Sequence, residues 1–289
     1  METKDLLKKV RVLEIKTRRL SDHLFSGEYH SSFKGRGMSF AEVRQYQVGD
    51  DIRNIEWNVT ARKHEPYIKV FEEERELTMM LLIDISESEN FGSTLQTKSE
   101  IITEMAATLA FSAMQNNDKI GVIFFSDQIE KYIPPGKGKS HVLQIIREMI
   151  EIKPKSKGTN ISGALEYLSS LVRKKAIVFL LSDFKDDGYE KPLKIAAKRH
   201  DLTGVRIWDP IDKDFPNMGL VPVLDPETQE KNWIWSSSKK WLRSHKEIFL
   251  KQEARFNQLF TKAGAGRISI STKESYVSKL YQFFKGRAR

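Results

Sequence analysis

No cysteine occurs in the 289 residues, which excludes disulfides, thiolate zinc sites and cysteine nucleophiles. No run approaches the roughly 20 apolar residues that a membrane-crossing helix needs. The opening Met-Glu-Thr-Lys-Asp-Leu-Leu-Lys-Lys has no hydrophobic signal core. The expectation is a cytoplasmic protein without a membrane span. There is no Gly-x-x-x-x-Gly-Lys-Ser/Thr loop, which argues against nucleotide hydrolysis within the chain. No serine sits in a Gly-x-Ser-x-Gly elbow, and His23, His30, His64, His141, His200 and His245 are scattered without metal-ligand spacing.

What is present suits a globular protein: 39% hydrophobic and 30% charged residues place the chain well away from disordered compositions. Its length allows one large core, or a core with an appendage. The net charge of +9 divides unevenly, +1 over residues 1–76, +2 over 77–208 and +6 over 209–289. Lys239, Lys240, Arg243, Lys246 and Lys251 fall on a predicted helix, either as a solvated face or as a surface for an acidic partner or nucleic acid. No nucleic-acid motif accompanies them, so a basic nucleic-acid-binding adaptor stands only as an alternative.

The chain is organised around Leu77-Thr-Met-Met-Leu-Leu-Ile-Asp84-Ile-Ser86-Glu-Ser88. Met79 to Ile83 is a continuous apolar block, as in a strand covered on both faces of a parallel sheet. If the extended conformation continues, alternation puts Asp84, Ser86 and Ser88 on one side. A strand–helix alternation follows. Helices are expected at 98–117, 140–152, 161–174 and 191–200, and strands at 119–127, 129–133, 176–184 and 204–209. With right-handed crossovers this is an α/β fold, a doubly wound, mostly parallel sheet flanked by helices, and its ligand site lies at the carboxyl ends of the strands. Gly219 to Trp235 reads as a hairpin around an Asp-Pro-Glu-Thr turn. A long helix over 238–262, a strand over 267–271 and a helix over 275–284, with Val277, Leu280, Tyr281 and Phe284 inward, complete the domain.

The domain therefore spans 77–289, with a core over 77–210, an elaboration over 211–265 and a closing strand and helix over 266–286. Residues 1–76 form an extension packed on it. Within that extension 3–25 carries leucine and valine at helical spacing, Gly35-x-Gly37 reads as a turn rather than a dinucleotide fingerprint, and Trp57 reads as a core anchor. Arg44, Arg53 and Arg62 recur at nine-residue intervals beside Glu42, Asp50 and Asp51. They form either internal ion pairs or a surface for a partner, to which Arg44, Asp50, Asp51, Arg53 and Arg62 would contribute. Trp233, Trp235 and Trp241 read as packing residues.

Asp84 and Asp183 both end strands, so they can be neighbours across about a hundred residues of sequence. Thr159, in Lys157-Gly-Thr-Asn160 ahead of a helix, is either an N-cap or a third contributor. Asp84, Ser86, Ser88, Thr159 and Asp183 make an all-oxygen set suited to a hard cation such as Mg²⁺, with a coordination position left open for an anion, for which a carboxylate of another protein is the natural occupant. A Mg²⁺-dependent phosphohydrolase is the enzymatic alternative, but no general base or arginine clamp accompanies the acids. A binding module that is not an enzyme is the preferred reading.

Asp84-x-Ser86-x-Ser88, Gly158-Thr159 before a helix and Asp183 at a later strand end resemble the metal-ion-dependent adhesion site of von Willebrand factor type A domains. The segment Gly35-x-Gly37-x-x-Phe40-x-x-x-Arg44-x-Tyr46-x-x-Gly49-Asp50-Asp51-x-Arg53-x-Ile55-x-Trp57-x-x-Thr60-Ala61-Arg62 resembles the bacterial domain-of-unknown-function family fifty-eight. That resemblance implies a divalent-cation-dependent protein-interaction module working with a MoxR-type AAA+ ATPase, as in the Bat operons linked to aerotolerance. One departure stands out: many relatives carry methionine after the second serine, and here Glu89 follows Ser88. Its carboxylate either strengthens cation binding or points to solvent.

Overall fold

A computed structural model describes residues 39–72, 77–93, 96–224 and 231–287. They fall into two units, one within Phe33–Leu77 and the other within Thr78–Arg289. The segments 3–25, Gly35 to Gly37 and the tip of the expected hairpin lie outside the described residues.

In the smaller unit β1 (Ser39–Gln45) and β2 (Tyr67–Glu72) pair antiparallel, with a bulge between Phe40 and Glu42. Between them run a single 3₁₀ turn and a short helix, α1 (Trp57–Lys63). The Thr60 hydroxyl accepts from Tyr67 N at 2.9 Å and fastens the helix to β2. Trp57 is 70% exposed and anchors no core, because a seven-residue helix on two strands has too little apolar cover to bury an indole.

The larger unit is a six-stranded sheet. β3 (Thr78–Asp84) is followed by α2 (Lys98–Gln115) and then β4 (Lys119–Phe125), β5 (Ile129–Gly136) and α3 (Lys139–Glu151). α4 (Ile161–Leu171), β6 (Ile177–Ser182), α5 (Glu190–Arg199) and β7 (Asp201–Trp208) come next. A single turn, α6 (Pro210–Lys213), leads to the small antiparallel pair β8 (Leu220–Leu224) and β9 (Lys231–Trp235). α7 (Lys239–Ala263), β10 (Gly266–Ser271) and α8 (Tyr276–Arg287) close the chain.

The strand order is β10-β7-β6-β3-β4-β5, parallel throughout except for antiparallel β5 at one edge. Proline is tolerated within β5 because an edge strand can forgo ladder donors. The chain leaves β3 toward β4, then returns to the other side of β3 at β6. The direction of winding thus reverses between β3 and β6, the place where doubly wound sheets open a crevice at their carboxyl ends.

Burial follows the apolar runs. Met79 to Leu82 are fully buried in β3, and β6 is buried throughout. Met80, Leu82, Val178 and Leu180 meet Leu165, Leu168, Leu193, Phe256 and Phe260 of α4, α5 and α7 on one face of the sheet. Gly204 in β7 lets this layer close, because a Cβ there would overlap the Phe260 ring. In α8 Leu280 and Phe284 are buried, whereas Tyr281, expected to face inward, is 39% exposed. Trp241 packs on Phe215 and His245. Trp233 and Trp235 do not pack as expected; on a two-stranded hairpin they share one face and stay exposed. Among the described residues no helix is long and apolar enough to cross a membrane.

Candidate metal centre

The ends of β3 and β6 and the turns that follow them meet where the winding reverses. β3 stops at Asp84, and the chain turns at once into a 3₁₀ turn, Glu87–Asn90. Ser86 and Ser88 therefore reach the same place by the turn, not by the strand alternation expected, and their hydroxyls lie 3.2 Å apart. Asp84 is buried and well held: its Oδ1 accepts from Ser86 N at 2.9 Å and its Oδ2 from the Ser182 hydroxyl at 2.6 Å.

Asp183 follows β6 directly. The next residue, Phe184, adopts a left-handed backbone with φ of 57°, a conformation costly for a residue with a Cβ. Its ring lies among Phe256, Phe260 and Tyr189, and its N–H donates to Ser182 Oγ at 3.0 Å. This reversal keeps Asp183 at the sheet rim. Lys185 N donates to Asp183 Oδ1 at 3.2 Å, and the Lys98 ammonium donates to Oδ2 at 2.7 Å. Both Lys98 and Asp183 are 1% exposed.

Glu89 joins them. It is buried, its Oε1 accepts from Asp183 N at 2.8 Å, and its Oε2 has no hydrogen-bond partner. Carboxylate oxygens of Asp84, Glu89 and Asp183 all lie within 4.8 Å of one another. The two acids predicted to meet do so, and Glu89 points into the site, not to solvent.

The Thr159 loop is bracketed by its neighbours. Glu87 N donates to Lys157 O at 3.3 Å on one side, and Asp186 Oδ2 accepts from Ile161 N at 2.7 Å on the other. The cap of α4 is Asn160, which accepts from Gly163 N at 2.8 Å. Thr159 is thereby spared capping duty, and its Oγ1 is buried without a partner.

The electrostatics follow from crowding three acids in a dry place. Burial, then the charge of Asp183, pushes the Asp84 carboxyl up to about 7. Burial pushes Glu89 well above the usual carboxylate range. Burial opposes the charge of Asp183 too, but the Lys98 ammonium outweighs it and holds that carboxyl below its ordinary range. Lys98 is moved oppositely: burial disfavours its charge, and Asp183 and Glu89 more than restore it. The site thus holds Asp183 as an anion paired with Lys98, while Asp84 and Glu89 keep protons that a cation would displace. Together with the buried, partnerless Oε2 of Glu89 and an all-oxygen donor set, this fits a hard divalent cation. A third strand-end acid, Asp209, is occupied otherwise, accepting from Ser93 N, Ile211 N and the Thr272 hydroxyl.

Lys98 and Ser182 were not legible as site residues. Lys98 opens a helix, a position that ordinarily faces water, and Ser182 closes an apolar strand run as a residue type common at strand ends. Glu89 carried a signal in its place directly after Ser88. In the smaller unit Arg44 pairs with Asp50 through two hydrogen bonds of 2.7 and 2.9 Å, the internal alternative of the two readings. Asp51 caps the 3₁₀ turn through Arg53 N, and Arg53 and Arg62 are exposed.

Fold and strand order define a von Willebrand factor A-like α/β domain. An aerotolerance-related membrane protein from Bacteroides fragilis shares the fold at 15% identity with a TM-score of 0.52, over 73% of this chain and 99% of that one. Residues 42–255 match the family described as "protein of unknown function DUF58", and the chain belongs to that family. Uncharacterized protein Rv1480 of Mycobacterium tuberculosis is 27% identical over 222 residues, 76% of this chain and 70% of that protein. Uncharacterized protein YeaD of Bacillus subtilis is 25% identical over 122 residues, 42% of this chain and 27% of its own length.

Proposed function

We propose that the rim between β3 and β6 binds a divalent cation, Mg²⁺ in the cell, and through it an acidic group of a protein partner. The residues offered to the cation there are Asp84, Ser86, Ser88, Thr159 and Asp183, with Glu89 beside Asp84 and Asp183. The single observation that carries the reading is the buried convergence of Asp84, Glu89 and Asp183, of which Asp183 is paired with Lys98. A divalent ion takes the place of the protons on the raised acids, and half-exposed Lys185, 3.6 Å from Asp183 and 3.0 Å from Asp212, adds positive charge beside the site. An incoming carboxylate therefore meets a favourable field. When bound, the ion supplies an electrophilic coordination position; the chain's own residues supply charge balance and exclude water.

The activity is recognition rather than catalysis. The proposed partner is a MoxR-type AAA+ ATPase, with this protein presenting clients to it in the cytoplasm. Exposed Arg53 and Arg62 on the smaller unit offer a further surface for an acidic partner. Affinity capture of the ATPase from Mg²⁺ buffer tests the reading: capture is expected to fall with EDTA and with Asp84→Asn. Equal recovery in all three conditions would sink it.

A further inference from the structure

The three buried carboxylates are not equivalent. We infer that Glu89, rather than Asp183, is the carboxylate that joins Asp84 on the cation, and that Lys98 holds Asp183 out of the ligand set as a built-in counter-ion. This rests on the cation reading above and specifies which side chains carry it.

Each acid's existing partners decide the assignment. Asp183 is taken on both oxygens: Oδ1 accepts from Lys185 N, and Oδ2 accepts from Lys98 at 2.7 Å and faces the Lys185 ammonium at 3.6 Å. Lys98 is 1% exposed, and the Asp183 carboxylate is the acceptor its ammonium reaches. Moving Asp183 onto a metal would strand that ammonium in a dry site, where no water can replace the lost acceptor. Glu89 is the reverse case. Its Oε1 is anchored on Asp183 N, which fixes the carboxylate's orientation, and its buried Oε2 has no partner. A buried carboxyl oxygen with no hydrogen-bond partner, on a group already oriented by its other oxygen, is the one free to take a cation. Glu89 also lies one residue from Ser88 on the same 3₁₀ turn. Asp84, Ser86, Ser88 and Glu89 thus come from one continuous stretch.

The proposal separates ligation from charge. Asp183→Asn alone removes a negative charge and leaves Lys98 unpaired, so it would weaken a cation by electrostatics whatever its role. The double variant Lys98→Met/Asp183→Asn deletes the pair and keeps the net charge, a change that buried pairs often tolerate. Glu89→Gln is isosteric and removes the carboxylate that would ligate the ion. Calorimetric titration with Mn²⁺, paired with melting curves with and without Mn²⁺, reads each variant. Expected are a loss of Mn²⁺ affinity of about tenfold or more in Glu89→Gln, on the scale of disturbed metal shells, and retention within about threefold in the double variant. The metal-free melting point of Glu89→Gln should equal or exceed that of the parent, because the amide keeps the acceptor for Asp183 N and removes a carboxyl whose ionisation burial disfavours. A double variant that loses affinity as much as Glu89→Gln overturns the assignment. So does a Glu89→Gln protein that melts lower without metal yet keeps the full gain from Mn²⁺, since that is the behaviour of a structural residue. If the parent and Asp84→Asn titrate alike, the cation reading itself fails, a result distinct from either.

Discussion

In the metal-free protein the buried Asp84 carboxyl titrates near neutrality, and this couples stability and cation binding to pH with a definite sign. Its value of about 7 against an ordinary 3.8 corresponds to about 4 kcal/mol at 1.36 kcal/mol per unit. The folded state prefers the protonated acid. The contribution is therefore fully present below about pH 4, shrinks as pH rises and is gone above about pH 7. Glu89, raised by burial, acts in the same direction. Asp183, held low mainly by Lys98 against the effect of burial, contributes stability above the ordinary carboxylate range, and that gain is complete before neutrality. His200 slopes the other way, so the parent must be compared with Asp84→Asn, which leaves His200 in place. Urea denaturation in EDTA at half-unit steps from pH 5 to 8 should show the parent losing stability relative to Asp84→Asn by up to about 1.4 kcal/mol per unit. Because a cation must displace the same proton, the apparent Mg²⁺ dissociation constant should rise up to about tenfold for each unit below pH 7. A flat difference between the two proteins, with Mg²⁺ affinity constant from pH 6 to 8, would refute the reasoning.

Lys98→Met should destabilise the metal-free protein by about 3–5 kcal/mol, the cost of leaving one member of a buried pair alone. Divalent ions should then raise its melting point more than they raise the parent's, and an equal gain in both would count against Lys98 as a counter-ion. His200 is buried and both ring nitrogens lack partners; burial, then Arg199, lowers its pKa to about 4. Its folded state resists protonation, so about 3 kcal/mol of stability is lost as pH falls from about 6.5 to 4. His200→Leu should flatten that limb in acid denaturation. Gly204→Ala should cost about 1–3 kcal/mol in urea unfolding, because the added methyl overlaps the Phe260 ring.

Much of the fold was legible because buried strands and amphipathic helices announce themselves locally. The helices over 98–117 and 238–262 were placed within two residues of Lys98–Gln115 and Lys239–Ala263. The strand over 176–184 was right in place and slightly long against Ile177–Ser182. The start of β7 was missed by three residues, since Asp201 and Thr203 interrupt its apolar pattern although the strand is buried from Leu202 to Ile207. Errors in exposure share another cause. Trp57, on a short helix, and Trp233 and Trp235, on a two-stranded hairpin, are apolar enough for a core, but among the described residues nothing covers them.

By itself the sequence determined the order of strands and helices and the polar residues at the strand ends, since apolar period and abrupt polarity change are properties of neighbouring residues. Only the tertiary structure decided how the charges are shared. The contacts Lys98–Asp183, Glu89–Asp183 and Asp84–Ser182 join residues 85, 94 and 98 positions apart. Whether a buried acid is satisfied depends on which donors the winding of the sheet delivers to it, and no local pattern encodes that.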